Sequence, residues 1–484
     1  MADMQQHLQK YADKSAYFSE DTIAALCTPV GGAISIIRVS GPNAFSVVER
    51  LSGKKSASVK PRKLYLVNIK KSENEVIDRG LAAWFSKPES FTGEDVVELF
   101  LHGGGYIAHA ALSALVQGGA RQALPGEFSF RAVRNGKISI SEAQATADLI
   151  AAKNSEAANL ALEKLAGSQR RIIGDVEKTL KELAVLSELD VDFSDQDLEA
   201  DKLAELKQKA FQSVAELQRL SASFERGSKV QEGVRVALVG LPNSGKSSFF
   251  NALLGEDRSI VSAIAGTTRD IVRESLTLRG VHSSVTLKLE DTAGLRASET
   301  VVEEMGIQRT LRSAREADLI LLIYDGSSLP SQDEAVLHEW QKLKTQQESQ
   351  SRTIGIITKC DLIDKEKQKQ IQKKLEARAA IRWLVTSAKQ GQGITESAET
   401  IAEVCEKFIH RSPGEVLLTH VEHKRAVDEA IEHLERAQKA EGSEFFSSDI
   451  RHAIIALAPL TGDSIQGISE ELLQTIFSRF CIGK

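Results

Sequence analysis

Cysteines, prolines and long apolar runs are scarce in this chain of 484 residues. The cysteines, Cys27, Cys360, Cys405 and Cys481, are too far apart for a CxxC metal pair or a disulfide framework, which favours a reducing compartment. No apolar stretch reaches about 18 residues and no early apolar run precedes a cleavage site. We therefore expect a cytoplasmic protein without a membrane span. A net charge of -6 and a pI near 6.0 argue against a surface coated by nucleic acid.

The few prolines mark out helical regions, because none lies between Pro125 and Pro242. Within that run apolar residues recur every three or four positions among Ala, Glu and Lys, which predicts long amphipathic helices from about 141 to 227. The same pattern returns after Pro413 and continues to the end, with interruptions expected at Pro459 and Gly462.

Between the helical regions, short apolar segments alternate with helical patterns, which predicts a parallel sheet with crossover helices. Its strands are expected at RVALVG, SVTLKLEDTAG, DLILLIYDG, RTIGIITKCD and IRWLVTSAK. The first 138 residues contain the candidate strands AISIIRVSG, KLYLVNI, LAAWFS and DVVELFLHGG between glycine-rich turns. The sequence thus predicts an α+β domain followed by a helical domain into which an α/β domain is inserted.

The segment GLPNSGKSSFFNALLG follows the strand RVALVG and opens a helical pattern, the context that a GxxxxGK[ST] phosphate loop requires. Gly240 and Gly245 let backbone N–H groups face phosphates, and Lys246 is expected to reach the β and γ phosphates. Ser247 is the expected ligand of Mg²⁺. This motif predicts a nucleoside triphosphate site.

The segment TKCD indicates which base is bound. The carboxylate of Asp361 can accept hydrogen bonds from both N1–H and the exocyclic amine of guanine, a pattern that adenine does not offer, so GTP is favoured. Thr358 stands where this motif usually has asparagine. The expected partner loop is TSAK, with Ser387, Ala388 and Lys389. In EDTAGL, Asp291 is expected to address Mg²⁺ through water and Gly294 to sense the γ phosphate.

Leu295 follows that glycine at the position where many small GTPases have a water-orienting glutamine. Another group must therefore handle the water and the developing charge. Asn243 in the phosphate loop can hold a monovalent cation against the phosphates. Glu303 can orient the attacking water, although its spacing alone favours an exposed carboxylate on a helix face.

The chain ends in FSRFCIGK, with a cysteine three residues from its last residue. A prenylation box is a poor description, because Gly483 is not aliphatic and Lys484 is an unusual last residue. A frayed tail is also disfavoured, since ISEELLQTIFSRF has apolar residues at helical spacing. We expect a packed helix that delivers Cys481 to a definite place.

Taken together, several segments make the chain resemble the MnmE (TrmE) family of tRNA uridine 5-carboxymethylaminomethyl modification GTPases. They are TPVGGAISIIRVSG, ESFTGEDVVELFLHGG, LPGEFSFRAVRNGKISISEAQATADLI, GLPNSGKSSFFNALLG, IAGTTRD, DTAGLR and FCIGK. The resemblance implies an α+β folate-binding and dimerisation domain over 1–138 and a discontinuous helical domain over 139–228 and 413–484. It also implies an inserted Ras-like P-loop GTPase domain over 229–412.

The resemblance further implies a potassium-dependent GTPase that acts on the wobble uridine of certain tRNAs. Its implied cofactors are GTP, Mg²⁺, K⁺ and a 5,10-methylene or 5-formyl tetrahydrofolate. Its implied partners are a second copy of the chain, tRNA and the FAD-dependent protein MnmG in a heterotetramer or larger complex. The chain departs from the family pattern at TKCD and in the loop between Pro29 and Arg38. Its first twenty residues also have no counterpart in the family.

Site residues follow from the same resemblance. The implied potassium ligands are Asn243, Ser262, Ile264 and Thr267, and the implied Mg²⁺ ligands are Ser247 and Thr268. The implied folate contacts are Arg38, Glu98, Lys137 and Lys484, with a surface charge at a strand end as the alternative for Arg38. The implied catalytic residues are Glu303 and Cys481. The remaining implied GTP contacts are Ser244, Gly245, Lys246, Ser248, Ala263, Ala265, Gly266, Asp291, Thr292, Ala293, Gly294, Thr358, Lys359, Cys360, Asp361, Ser387, Ala388 and Lys389.

Two other function classes compete with this one. A ribosome-assembly GTPase would share the nucleotide motifs, but it would usually append an RNA-binding module after them, and a helical segment follows here instead. A nucleotide-gated scaffold would bind GTP while Arg38, Glu98, Lys137 and Cys481 were dispensable for tRNA modification.

Overall fold

A computed structural model describes residues 17–72, 75–192, 200–241, 243–256, 275–290, 316–328, 341, 352–412, 414–461, 473, 476–478, 480 and 482–483. These residues form two six-stranded sheets and a set of helices that lie between and after them in the chain. Among them, no helix combines the length and the apolar character needed to cross a bilayer.

The first sheet has the strand order β3-β4-β5-β2-β1-β6 and is antiparallel except for the pair β1 and β6. Its strands are β1 (Ile23–Leu26), β2 (Ile34–Ser40), β3 (Leu64–Ser72), β4 (Glu75–Phe85), β5 (Val96–His102) and β6 (Arg121–Gln122). The helices in this part are α1 (Ala44–Ser52), α2 (Gly105–Gln117) and α3 (Glu127–Arg134). Apolar residues of α1 and α2 share one core with alternate strand residues, so these helices cover one face of the sheet.

Five described helices follow: α4 (Ile140–Ala151), α5 (Ser155–Leu165), α6 (Ser168–Asp192), α7 (Ala200–Ala222) and α8 (Phe224–Glu232). The start of α4 is fixed by a capping box in which Ser139 and Glu142 satisfy each other's backbone N–H groups. The helical pattern of the sequence is therefore confirmed over this region.

The second sheet has the order β12-β11-β10-β7-β9-β8 and is parallel except at its β8 edge. Its strands are β7 (Val234–Gly240), β8 (Ser275–Arg279), β9 (Ser284–Glu290), β10 (Leu319–Asp325), β11 (Arg352–Thr358) and β12 (Trp383–Val385). The helices α9 (Lys246–Glu256) and α11 (Ile394–Ile409) pack on one face, and α10 (Lys365–Ala379) packs on the other. Burial on both faces explains why β10 is a continuous apolar run.

Helices that precede the second sheet in the chain pack against helices that follow it. The helices α12 (Val421–Lys439) and α13 (Ser443–Thr461) share one core with α6 and α7. Residues 234–409, which carry the second sheet, thus leave the helical bundle and return to it. The interruption expected at Pro459 is wrong, because α13 continues through this residue to Thr461. Proline has no N–H group, so the helix loses one hydrogen bond, the one to the carbonyl of Ile455. Ile455 is exposed, so water can reach this part of the helix.

A buried polar cluster lies where the second sheet joins the helices. Lys164 Nζ of α5 lies 2.9 Å from Asp148 Oδ2 of α4 and also donates to the Thr419 hydroxyl. Gln231 of α8 donates to Asp148 Oδ1 at 3.1 Å, and His420 Nε2 lies 3.1 Å from Asp148 Oδ2. Because Gln231 precedes β7 and His420 follows α11, Asp148 connects the chain segments that lead into and out of the sheet.

Candidate functional site

The loop between β7 and α9 has the geometry of a phosphate-binding loop. Gly240 packs so closely on β10 that a Cβ atom there would lie 2.5 Å from the Ile323 carbonyl oxygen. Gly245 has a φ of +89°, in the left-handed region that favours glycine. The loop ends at the amino terminus of α9, where free backbone N–H groups and the helix dipole favour an anion.

The loop side chains are arranged around this helix terminus. Lys246 Nζ donates to the carbonyl oxygens of Gly240 at 3.0 Å and Leu241 at 2.8 Å, so the ammonium lies over the loop. Burial lowers the pKa of Lys246. The Ser244 hydroxyl is buried and has no hydrogen-bond partner within the part of the chain described. Asn243 is exposed with a left-handed φ of +57°, a conformation that asparagine tolerates.

The segment TKCD is bonded directly to the phosphate loop. The Thr358 hydroxyl donates to the Ser244 carbonyl oxygen at 2.6 Å and lies 3.1 Å from the Tyr324 carbonyl oxygen. Lys359 Nζ donates to the Asn243 carbonyl oxygen at 2.8 Å. The threonine that replaces the usual asparagine therefore still connects the end of β11 to the loop.

The carboxylate expected to select the base is held by its partner loop. The Ser387 hydroxyl donates to Asp361 Oδ1 at 2.6 Å, and the Cys360 N–H donates to the Thr386 carbonyl oxygen at 3.1 Å. Cys360 and Ser387 are buried, whereas Asp361 is half-buried and Lys389 is exposed. One oxygen of Asp361 thus keeps an orienting bond, and the carboxylate remains accessible at the surface.

Sequence reasoning missed Asp325 at the end of β10. Its Oδ2 atom lies 2.7 Å from Lys359 Nζ. Burial raises the pKa of Asp325, but hydrogen bonds from Lys359 and Ser327 outweigh this effect, so the pKa is lowered. An acidic residue at the carboxyl end of a buried strand, as in LLIYDG, is a signal that would have drawn attention to it.

Many of the expected nucleotide and ion contacts lie outside the described residues. They are Ser262, Ala263, Ile264, Ala265, Gly266, Thr267, Thr268, Asp291, Thr292, Ala293, Gly294 and Glu303, together with Leu295. The described contacts, from Asn243 to Ser248, from Thr358 to Asp361 and from Ser387 to Lys389, lie at the carboxyl ends of β7, β11 and β12. This is the edge at which open α/β sheets bind ligands.

A second group of expected contacts lies on the first sheet. Arg38 of β2 and Glu98 of β5 are register partners, and Arg38 Nε donates to Glu98 Oε1 at 2.9 Å. The Arg38 guanidinium also lies 4.9 Å from the ring centre of Phe91 and 5.6 Å from that of Phe128. Arg38 is therefore a half-buried, ion-paired residue within a strand and not a surface charge at a strand end.

The carboxyl-terminal segment packs on the amino-terminal part of the chain. Phe477 is buried, and its ring centre lies 5.5 Å from that of Phe130 in α3. The Cys27 thiol donates to the Gly483 carbonyl oxygen at 3.2 Å. Cys481 and Lys484 themselves lie outside the described residues. Their neighbour Gly483 nevertheless lies beside the end of β1, the strand whose Ala25 is the register partner of Arg38.

One sheet carries a phosphate-binding loop that is bonded to the TKCD segment. The other sheet carries Arg38 between aromatic rings. These two features are typical of a nucleotide-binding protein with several domains. Two family models match this chain: the GTP-binding protein TrmE N-terminus over residues 22–137 and the MnmE helical domain over residues 140–481. The chain belongs to the MnmE (TrmE) family.

Curated relatives support the same assignment. The chain is 37% identical over 482 residues to a tRNA modification GTPase MnmE of Acetivibrio thermocellus, covering 96% of this chain and 100% of the relative. It is 36% identical over 474 residues to the protein of the same description in Protochlamydia amoebophila, covering 97% and 98%. The match to that of Dichelobacter nodosus is 37% identical over 471 residues, covering 96% and 100%.

Proposed function

We propose that this chain is a potassium-dependent GTPase that acts in the modification of the wobble uridine of tRNA. Its membership in a family of tRNA modification GTPases gives the general activity. The structural observation that carries the proposal is the pair of bonds from Thr358 and Lys359 to the phosphate loop. They join the phosphate-binding and base-selecting segments into one nucleotide site, in a Ras-like P-loop domain that we place at 229–412, between helical parts at 139–228 and 413–484.

In this proposal the chain's own groups position GTP and balance its charge. Lys246 leaves the loop carbonyls for the β and γ phosphates, and Ser247 with Thr268 holds Mg²⁺. Asp291 addresses the same ion through water, and Gly294 senses the γ phosphate. Mg²⁺ and K⁺ would both supply positive charge against the phosphates.

The proposed potassium site begins at Asn243. Its backbone carbonyl is already bonded to Lys359, so its exposed side-chain amide is the group available for a cation. The amide oxygen is a suitable hard ligand for a monovalent ion. Ser262, Ile264 and Thr267 complete the proposed site. Glu303 orients the water that attacks the γ phosphorus, since Leu295 provides no amide for this purpose.

Hydrolysis of GTP is expected to require potassium. GTP turnover by the purified chain in potassium should exceed turnover in sodium at matched ionic strength, and Glu303→Ala in potassium should lower kcat with little change in GTP affinity. Equal rates in the two salts would exclude the potassium site. If Glu303→Ala also lost affinity for GTP, Glu303 would act on more than the attacking water.

The tRNA part of the proposal involves the amino-terminal domain at 1–138. Arg38, Glu98, Lys137 and Lys484 are proposed to bind a 5,10-methylene or 5-formyl tetrahydrofolate, with Cys481 acting beside it as a nucleophile or general acid or base. The residues present fit such a ligand, because a carboxylate can accept from the pterin ring and cations can meet its glutamate tail. The folate supplies the one-carbon unit, and FAD is held by the partner MnmG.

A second copy of the chain is the proposed partner at the face of the first sheet opposite α1 and α2, beyond the part of that face on which Phe128 of α3 packs. Leu66, Leu81, Phe100 and Ile36 are successive register neighbours across four strands. Leu66 and Leu81 remain 54% and 38% exposed, on the face away from α1 and α2. Arg38 lies on this face two residues from Ile36. A second copy there would cover the apolar row and adjoin the proposed folate site.

Cells that lack this chain are expected to lose the carboxymethylaminomethyl-type group from their wobble uridines. Mass analysis of nucleosides from their tRNA, with and without the restored wild-type gene, measures this directly. Restoration with a Cys481→Ser variant should fail even though the purified variant retains GTP hydrolysis. Unchanged wobble nucleosides in the cells without the chain would favour a ribosome-assembly GTPase instead.

A further inference from the structure

A cavity of about 460 Å³ opens beside the predicted folate contact Lys137. Its lining combines two phenyl rings, two cations, one carboxylate and a hydroxyl, from Arg62, Phe85, Glu89, Ser90, Phe91 and Lys137. Phe91 is also the ring over which the Arg38 guanidinium lies, so the cavity adjoins the Arg38–Glu98 pair. Aromatic walls with an excess of positive charge suit a ligand that carries both rings and carboxylates.

Arg62 lies near the rim of this cavity and is held by its backbone. Its N–H donates to the Trp84 carbonyl oxygen at 2.8 Å, and its φ of +61° is rare for a residue with a side chain. The guanidinium donates to the Glu89 carbonyl oxygen at 3.2 Å and lies 3.4 Å from Glu89 Oε2. The two side chains are 61% and 74% exposed. An ion pair so exposed contributes little stability, so Arg62 can exchange Glu89 for a ligand carboxylate.

Lys137 approaches the same cavity from another segment. Its aliphatic stem lies against Gly93, where a Cβ atom would be 3.3 Å from Lys137 Cγ. The loop that carries Gly93 is held by a hydrogen bond from Asn135 Nδ2 to the Thr92 carbonyl oxygen at 2.6 Å. The Lys137 ammonium has no ion-pair partner among the residues with described positions. The cavity thus contains two cations and a single carboxylate, which belongs to Glu89.

We propose that Arg62, together with Lys137, binds the carboxylates of the glutamate tail of the folate. In the free protein Arg62 is paired with Glu89 instead. This inference rests on the proposed folate function and adds a specificity residue to it. Arg38 and Glu98 are then left for the pterin. Each additional glutamate of a folate polyglutamate brings another carboxylate to a basic cavity, so Arg62 favours longer tails.

Equilibrium binding of three probes tests this assignment: a reduced pterin without a tail, tetrahydrofolate with one glutamate, and tetrahydrofolate with three. Arg62→Gln should weaken binding of the triglutamate about two- to fivefold, the range of an exposed ion pair, and leave pterin binding unchanged. Glu89→Gln, which frees Arg62, should bind the triglutamate as tightly as the wild type or more tightly. Circular dichroism of both variants checks that they are folded.

The outcomes separate this inference from the function on which it rests. If the wild-type chain binds none of the probes, the proposed folate function fails and the role of Arg62 fails with it. If the wild type binds them and Arg62→Gln changes all three affinities equally, or none, only the role of Arg62 is overturned. Loss of tRNA affinity alone in that variant would likewise overturn it and assign the cation to nucleic acid.

Discussion

Replacing Asp148 by asparagine should lower the free energy of unfolding by about 3 to 5 kcal/mol, the cost of breaking a buried ion pair from one side. The substitution preserves shape but leaves the Lys164 ammonium, which is buried, without its anion. The only other described partner of that ammonium is the neutral hydroxyl of Thr419. Urea unfolding followed by the helical circular dichroism signal measures the change.

An exposed ion pair provides the matched control. Glu403→Gln breaks the Lys407–Glu403 pair on α11, whose side chains are 53% and 51% exposed, and should cost less than about 1 kcal/mol. The double variant Asp148→Asn with Lys164→Met should recover much of the lost stability, because the unpaired ammonium is removed while asparagine can still bond to Gln231 and His420. If Asp148→Asn and Glu403→Gln lowered the free energy of unfolding by the same small amount, the buried pair would contribute no more to stability than the exposed one.

The effect also has a defined pH dependence. Burial raises the pKa of Asp148, but the hydrogen bonds and charges of His420 and Lys164 outweigh it and lower the pKa to about 2. A carboxyl whose pKa is lowered by folding stabilises the native state above its unfolded pKa of about 3.9. The difference in stability between wild type and Asp148→Asn should therefore be complete above about pH 5 and shrink as the pH falls toward about 2.

The sequence predicted well those elements whose apolar pattern is set by local burial. The strands β7, β10 and β11 are apolar runs because both sheet faces are covered, and their positions were expected from the pattern. The strand β8, which lies at the edge of the sheet among the described strands, was not predicted, since SLTLR has only alternating apolar residues. The short strands β1 and β6 were also missed, because four and two residues are too few to show a pattern, and β6 pairs only with β1, about 100 residues earlier, among the described strands.

The site divides in the same way. The phosphate loop and TKCD could be predicted because each motif is a continuous stretch with its own strand and helix. The contact between them could not, because Thr358 and Ser244 are 114 residues apart and any donor of suitable length would serve. Asp148 and Arg62 were missed for the same reason. Their importance comes from His420 and Lys137, which only the fold brings near them.

Replacing Asp361 by asparagine should exchange the base preference of the nucleotide site. The aspartate accepts from two N–H groups of guanine, and an amide in its place would set an NH₂ group against the exocyclic amine of guanine. GTP affinity should fall at least about 100-fold, since two charge-assisted bonds are lost or opposed. Xanthosine triphosphate has an oxygen in place of that amine and should gain affinity. The bond from Ser387 to Asp361 Oδ1 can persist with the amide oxygen in that place, so the loop should keep its position.

Thr358→Val provides the control that separates base recognition from loop support. Valine has nearly the same shape but cannot donate to the Ser244 carbonyl oxygen, so one of the two bonds that join this segment to the phosphate loop is lost, while the bond from Lys359 remains. This variant should weaken GTP and xanthosine triphosphate by the same factor, because neither base contacts the lost hydroxyl. Nucleotide titrations of both variants decide the assignment. If Asp361→Asn weakened both nucleotides equally, as Thr358→Val should, Asp361 would support the loop and another residue would select guanine.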